Sequence, residues 1–474
     1  MRLRYFDNRV ATHDGRGDFV GDSRNVAVFE TMPVPGAVRN MAVPTVIGQL
    51  IVLFYNMADT FFVGQTNNPY MVAGASLILP VFNISLALAG LAGVGGGALI
   101  SRLLGKGEIQ EARRVGRFSV RMAFGLAGLF SLAMLFFRRP ILTFLGAGNE
   151  TYRYANQYVF CVIVLGGLPT VLSNTYANLL RSIGESRKAG VGITLGGLLN
   201  VALDPLFMFV LLPKGSEILG AGLATCLSNF ISCSYFLITI HGLGPDSVLR
   251  NRSVKELPAK ENLKSIFNVG IPSALATFLF DFDYIVIGRL MTAYGDIQMA
   301  AIGIVLKIER LPLNIGVGIC QGMMPIVAYN YASGNRKRMR DTIAFSRRVG
   351  LVCAAISIAL YEIFALNITG LFIGDAQTVA LGTDFLRIRC LATPFMFLSF
   401  FTVYLFNGFG KGRTALFLGV MRWLILNIPM LYILSGIFGM YGIVWSQIVA
   451  DVINVGISMY VYRRFERRDG GEEN

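Results

Sequence analysis

The stretch Ala42-Val-Pro44-Thr-Val-Ile-Gly-Gln-Leu-Ile-Val-Leu-Phe-Tyr-Asn-Met-Ala-Asp59-Thr-Phe-Phe-Val-Gly64 holds one formal charge, Asp59, in an otherwise apolar run. A bilayer core of roughly 30 Å is crossed by about 20 helical residues, so this run is long enough to span it. Eleven more stretches like it follow, at about 72–100, 117–137, 155–178, 189–212, 219–240, 266–288, 298–327, 345–372, 381–407, 414–436 and 438–461. They are continuous and rich in Leu, Ile, Val and Phe rather than alternating, and lipid forces backbone groups to pair within the segment. The expected fold class is therefore an all-α polytopic membrane protein with twelve transmembrane helices.

Composition agrees. Of 474 residues, 54% are hydrophobic and 15% charged, where a soluble protein carries about 25% charged residues. That balance excludes a disordered chain and argues against a water-soluble enzyme. The net charge of +14 would suggest nucleic acid in a soluble protein, but the basic residues are distributed by side. Segments on the side of the N-terminus hold 31 of the 42 Lys and Arg, and the opposite loops hold 5. This bias places both termini in the cytoplasm and the protein in the plasma (inner) membrane, against anionic lipids. No nucleic-acid partner is expected. The first 35 residues are polar and lack an apolar signal core, so no cleavable signal peptide is expected and span 1 serves as the insertion signal. The six cysteines form no CxxC pair and His13 and His241 are isolated, so buried thiols and no resident metal are expected.

The polar stretch 241–265 divides the spans six and six, and the halves look duplicated. Asp59-Thr-Phe-Phe-Val-Gly64 is echoed by Asp283-Tyr-Ile-Val-Ile-Gly288, Gly107 to Arg114 by Gly334 to Arg340, Leu145-Gly146 by Ile373-Gly374, and Gly184-Glu-Ser-Arg187 by Gly410-Lys-Gly-Arg413. The expected organisation is a cytoplasmic tail 1–36, a first lobe 37–240, a cytoplasmic loop 241–265, a second lobe 266–462 and a tail 463–474. Six is even, so both halves share one topology. This is the parallel-repeat layout of transporters, in which substrate lies between the lobes. No phosphate-binding GxxxxGK[ST] motif exists, so work must come from an ion gradient. Gly93-Val-Gly95-Gly-Gly-Ala98 imitates a dinucleotide fingerprint, but it lies in a span with no preceding strand and reads as small residues for close helix packing.

A charge at mid-bilayer costs about 2.5–3.5 kcal/mol on insertion scales, so each intramembrane ionisable residue is a functional candidate. Asp59 sits near the outer end of span 1. In span 5, Asn200 and Asp204 are four apart and share a face, and Pro205 disturbs the backbone ladder beside them. Thr225 opens span 6 from the same side. Together they offer two carboxylates, an amide and a hydroxyl, an oxygen set suited to a proton or to Na⁺. Loading such a site can bend or straighten span 1 at Pro44. The second half departs from this pattern: its span 11 reads Arg422 to Pro429 with Asn427 and no Asp. It carries Asp281, Asp283, Lys307, Glu309, Arg310, Arg387, Arg389 and Arg422, among which ion pairs are expected, Asp283 with Lys307 or Arg310 for instance. In span 12, Gln447, Asp451 and Asn454 share a face that could line a central cavity or pack between the halves.

At these residues the sequence resembles the multidrug and toxic compound extrusion (MATE) family. The motifs are Asn56-Met-Ala-Asp59-Thr-Phe-Phe-Val-Gly64, Leu103-Leu-Gly-Lys-Gly107, Asn200 to Pro205, and Pro325-Ile-Val-Ala-Tyr-Asn330, and the resemblance covers about residues 36–462. It implies two pseudo-symmetric six-helix lobes and antiport of cationic, amphipathic compounds against H⁺ or Na⁺, with no cofactor. In the DinF-like branch it implies a first-lobe cation site, matched here by Asp59, Asn200, Asp204 and Thr225, with Pro44 as the kink proline. A NorM-like site is not matched, because Asp281 lies near its span 7 position while span 10 has no acid. The expected partners are a small-molecule substrate and membrane lipids, and the expected state is a monomer. The competing reading is a flippase or exporter of anionic or lipid-linked cargo, kept open by the second-half cations. A membrane enzyme would need a catalytic cluster such as HExxH, which is absent.

Overall fold

The computed structural model describes residues 23–245, 247–250 and 256–469, with the side chains of 23–26, 278, 280–282 and 469 outside the description. Within these residues all regular structure is helical. Each expected span is met by a helix or a bent helix pair. The first lobe comprises Val34–Gly64, Pro69–Gly105, Ile109–Phe144, Asn149–Leu165 with Gly167–Ser182, Ser186–Leu211 and Glu217–His241. The second comprises Lys260–Thr292, Asp296–Ala332, Arg336–Gly370, Ala376–Cys390 with Thr393–Gly408, Gly412–Phe438 and Met440–Asp469. Among the described residues nine helices are long and apolar enough to cross a membrane, and the two bent pairs, spans 4 and 10, bring this to eleven. Lys260–Thr292 covers the remaining span.

The irregularities are duplicated as well. Spans 4 and 10 bend by 48° and 47°. Span 5 passes through a π-helical turn at Leu206–Leu211 directly after Pro205, and span 11 has one at Met421–Asn427 just before Pro429. A proline removes one backbone donor and crowds the preceding turn, which accounts for the widening before Pro429; in span 5 the widened turn follows Pro205 instead. The basic-side turns repeat too: Gly107 and Gly334 have φ of 76° and 78°, and Gly184 and Gly410 have 87° and 75°. The Gly146–Gly374 pair does not share this feature, since of the two only Gly146 is left-handed.

The glycine run in span 2 is a packing surface. A Cβ on Gly93 would fall 3.0 Å from Asn178 of span 4, one on Gly95 2.6 Å from the Ile266 carbonyl of span 7, and one on Gly96 2.0 Å from Ser119 of span 3. Three helices thus close on span 2 at backbone distance. The contact with span 7 belongs to a seam between the lobes. There Gly270 faces the Leu91 carbonyl, Gly322 faces Ala42, Gly105 faces the Tyr329 carbonyl, and Gln49 donates to Gln321 across 3.0 Å. These approaches lie in the halves of the spans nearer the basic loops.

Two parts of the expected organisation change. The segment 1–36 is not a plain tail: Ser23–Glu30 is a helix, and span 1 begins at Val34. Arg338 donates to the carbonyls of Val28, Phe29 and Met32 at its end, satisfying acceptors a helix terminus leaves free, and Phe29 stacks on Tyr329. The loop 241–265 ends earlier, because span 7 starts at Lys260. All six cysteines are free and no metal-type cluster of His, Cys, Asp and Glu occurs among the described residues.

Candidate functional site

The first-lobe residues come together. Asn200 and Asp204 lie one turn apart on span 5 and are 3% and 0% exposed. Asn200 Nδ2 donates to Asp204 Oδ1 at 3.2 Å and to Thr225 Oγ1 of span 6 at 3.1 Å. Asp59 of span 1 is close enough to Asp204 for the two charges to interact, but it is held by a different partner. Tyr158 of span 4 donates its hydroxyl to Asp59 Oδ2 at 3.0 Å. Sequence reasoning missed Tyr158. It stands where the polar first turns of span 4 give way to the apolar run Phe160–Leu165, with no motif to link it to span 1. Tyr55 is a second unforeseen neighbour of both carboxylates, seated against Gly197 of span 5.

Asp59 Oδ1, Asn200 Oδ1 and Asp204 Oδ2 are buried and have no hydrogen-bond partner. Buried polar atoms are nearly always satisfied, and leaving one bare costs about 1–3 kcal/mol, more when charged. Three such acceptors in one lobe are an oxygen set of the kind that suits a proton or a hard cation. The residues therefore fit the ion that the sequence suggested. Pro205 lies where span 5 widens, next to Asp204. Pro44 is in the interior of span 1, where Gly190 of span 5 is close enough that a Cβ would fall 2.7 Å from its carbonyl oxygen. One turn earlier, the Met41 carbonyl accepts from Thr45 Oγ1 at 2.9 Å and Ser186 Oγ at 2.6 Å, tying this part of span 1 to span 5.

The second lobe builds a network of ion pairs instead, in which Arg389 Nη1, Asn427 Oδ1 and Asn454 Oδ1 are also buried without a hydrogen-bond partner. Asp283, the repeat partner of Asp59, accepts from Asn427 at 2.5 Å. The expected pairing of Asp283 with Lys307 or Arg310 does not form: Lys307 is exposed, and Arg310 lies over the Tyr284 ring at 4.9 Å. Glu309 instead binds Arg389 through two hydrogen bonds of 2.7 and 3.0 Å. Arg389 reaches Gln447 at 3.4 Å, Gln447 donates to Asp451 at 2.8 Å, and Asp451 takes both arms of Arg422 at 2.5 and 3.0 Å. The face of span 12 is thus turned into its own lobe, with Gln447 and Asp451 2% and 1% exposed and Asn454 donating to Ser399. Arg387 pairs with Glu362 at 3.8 Å at a half-exposed position. Asp281 is on span 7, but its side chain lies outside the described residues.

This duplicated two-lobe arrangement is matched by a known family. The MatE family model matches residues 44–206 and 272–433, one segment in each half. The chain belongs to the MatE family. As a MatE protein it is an integral, multi-pass membrane transporter and not an enzyme. Multidrug export protein MepA of Staphylococcus aureus (strain MRSA252) is 31% identical to this MatE chain over 424 residues, 89% of the chain and 92% of the relative. MepA of Staphylococcus haemolyticus (strain JCSC1435) is 28% identical over 440 residues, 93% and 96% of the two chains. Among solved structures, an outward-facing multidrug resistance MATE family transporter of the MOP superfamily superposes with a TM-score of 0.89 at 22% identity, covering 94% of this MatE chain and 99% of the other. A MOP superfamily transporter from Pyrococcus furiosus, described by the reverse polarity of its binding pocket, superposes with a TM-score of 0.84 at 23% identity, covering 92% and 97%.

Proposed function

We propose that this MatE transporter is a secondary active antiporter that exports cationic, amphipathic drugs or metabolites in exchange for H⁺ or Na⁺ by alternating access. The observation that carries the reading is the set of three bare buried oxygens on Asp59, Asn200 and Asp204, joined to Thr225 through Asn200. An ion entering that set satisfies acceptors that are otherwise costly, so the two conformations can differ in affinity for it. The similarity to MepA, named as a multidrug export protein, supports the export direction and the substrate class.

The coupling runs through span 1. Asp59 faces the ion site and Pro44, further along the same helix, packs on span 5 near the lobe seam. A shift at Asp59 is transmitted along one helix to the seam, whose glycine contacts close the basic-loop side. The 31-to-5 charge bias supports cytoplasmic termini, and the closed seam then faces the cytoplasm with the ion site on the outer side. The site's position in the first lobe supports the DinF-like branch. The anionic-cargo reading rested on Lys307, Arg310, Arg387 and Arg422; of these, Arg422 is paired with Asp451 and Arg387 with Glu362 within their own lobe. The protein works as a monomer in this reading, each chain holding both lobes.

The test is transport of a cationic dye by the purified full chain in proteoliposomes, under a pH gradient and a Na⁺ gradient applied separately. The reading expects dye movement under one gradient and fails if neither drives it.

A further inference from the structure

The helix Ser23–Glu30 leads into span 1, which belongs to the first lobe, yet its end is bound by the second lobe. Arg338, in the first turn of span 9, donates through Nε to the Phe29 carbonyl at 2.5 Å. Through Nη2 it donates to the Val28 and Met32 carbonyls at 3.0 and 2.6 Å. Asn330 of span 8 also donates to the Phe29 carbonyl, at 3.1 Å, and the Tyr329 hydroxyl donates to Glu30. The Phe29 ring is 2% exposed and stacks on Tyr329 with centroids 5.0 Å apart. Val28 and Phe29 share one apolar core with Met41 of span 1 and Ile326 of span 8. The carbonyl of the same Tyr329 lies on the lobe seam, where Gly105 of span 2 meets it. The link from Phe29 to span 1 is short and stiff. The amides of Thr31 and Met32 donate back to the Ala27 carbonyl at 3.1 and 2.7 Å, and Pro33 and Pro35 each fix their own φ. Parting span 1 from span 8 on this side therefore pulls directly on Phe29 and on the carbonyls that Arg338 binds.

We propose that residues 27–32 are a latch across the lobe seam: seated on Arg338 and Tyr329 they hold the basic-loop side closed, and they let go of the second lobe when that side opens. The latch rests on the alternating-access reading above. Its contacts are of a kind that can be broken and remade. Carbonyls at a helix end have no partner within the helix, so they accept equally from Arg338 in the closed state or from water once released. The Phe29 ring makes release unfavourable, because it passes from an apolar core into water. The closed state gains both terms and the open state loses both, so the latch sets the ratio of the two states without touching the ion site.

The experiment measures spin-label distances in the full chain between Arg187→Cys and Arg413→Cys, exposed positions at the basic-side ends of spans 5 and 11. Cys353, the one cysteine that is not buried, is replaced by Ser. This labelled chain is compared with the same chain carrying Phe29→Ala, Arg338→Gln or Lys337→Gln, the last removing an exposed charge beside Arg338. Each is measured at acid and neutral pH, with and without Na⁺. The ratio of the longer to the shorter distance is expected to rise about tenfold or more in Phe29→Ala and in Arg338→Gln, the scale set by lost charge-assisted hydrogen bonds and a buried ring. Lys337→Gln is expected to leave the ratio unchanged. If the labelled chain shows both distances and neither latch variant changes their ratio, the latch is overturned and alternating access stands. If no chain shows a longer distance under any condition, alternating access fails and the latch with it. A rise in Lys337→Gln equal to that in Arg338→Gln overturns the latch by making loop charge the cause. If Phe29→Ala does not fold, Arg338→Gln against Lys337→Gln decides alone.

Discussion

Tyr158 donates its hydroxyl to Asp59 across 3.0 Å, joining span 4 to span 1 at one of the two buried first-lobe carboxylates. Asn200 holds Asp204 in the same way from within span 5. Each carboxylate therefore keeps one oxygen bound by the protein and one oxygen bare.

Tyr158→Phe removes that hydrogen bond and little volume. A hydrogen bond to a charged group contributes about 1.5–3 kcal/mol and favours the unprotonated carboxylate, so the half-maximal concentration of coupling ion is expected to shift about tenfold or more, downward where the ion is H⁺. Dye transport titrated with the coupling ion checks this. An unchanged titration would mean that Tyr158 only fills space.

Arg422 and Asp451 form a bidentate pair with side chains 4% and 1% exposed. Removing one partner strands the other, at a cost of about 3–5 kcal/mol, whereas replacing both with apolar groups is often neutral. Arg422→Met is expected to lower the melting temperature in detergent strongly, and Arg422→Met/Asp451→Leu to recover most of it.

At the lobe seam Gly270 meets the Leu91 carbonyl, and a Cβ there would sit 2.3 Å from the oxygen. Gly270→Ala must push the lobes apart on the basic-loop side, since overpacking costs about 1–3 kcal/mol. The closed-seam conformation should lose population. Spin-label distances between the far ends of spans 1 and 7 are expected to shorten on average relative to wild type.

Asp375 lies outside the spans and caps the first helix of span 10, accepting from the Thr378 amide at 2.8 Å and its hydroxyl at 2.6 Å. These bonds hold its carboxyl below the ordinary carboxylate range. A depressed folded value stabilises above the unfolded value of about 3.9 and loses that stabilisation as the pH falls through the folded one. Asp375→Ala is therefore expected to melt earlier than wild type at neutral pH, with the difference shrinking below about pH 4. A difference that persists on acidification would contradict the cap.

Much of this was legible in the sequence because lipid leaves few choices. Apolar runs of sufficient length had to be helices, and the Lys and Arg bias separated their two sides. Asn200 and Asp204 were readable as a pair because helical spacing alone sets their contact. The duplication was visible in turn glycines such as Gly107 and Gly334, whose left-handed backbone restricts the residue type. Contacts between distant spans were not legible. Tyr158 reaches Asp59 across 99 positions and Glu309 finds Arg389 across 80. The helix Ser23–Glu30 looked like tail because its capping comes from Arg338, far along the chain.

The central claim is that the first-lobe carboxylates couple the ion to export, and Asp204→Asn tests it most directly. The substitution keeps the shape and the hydrogen bond with Asn200 but removes the charge. The measurement is dye accumulation in proteoliposomes of wild type and Asp204→Asn under the gradient that drives wild type, with dye binding measured alongside. The account predicts retained binding and loss of gradient-driven accumulation. Wild-type accumulation by Asp204→Asn would contradict it and move the coupling site to another part of the protein.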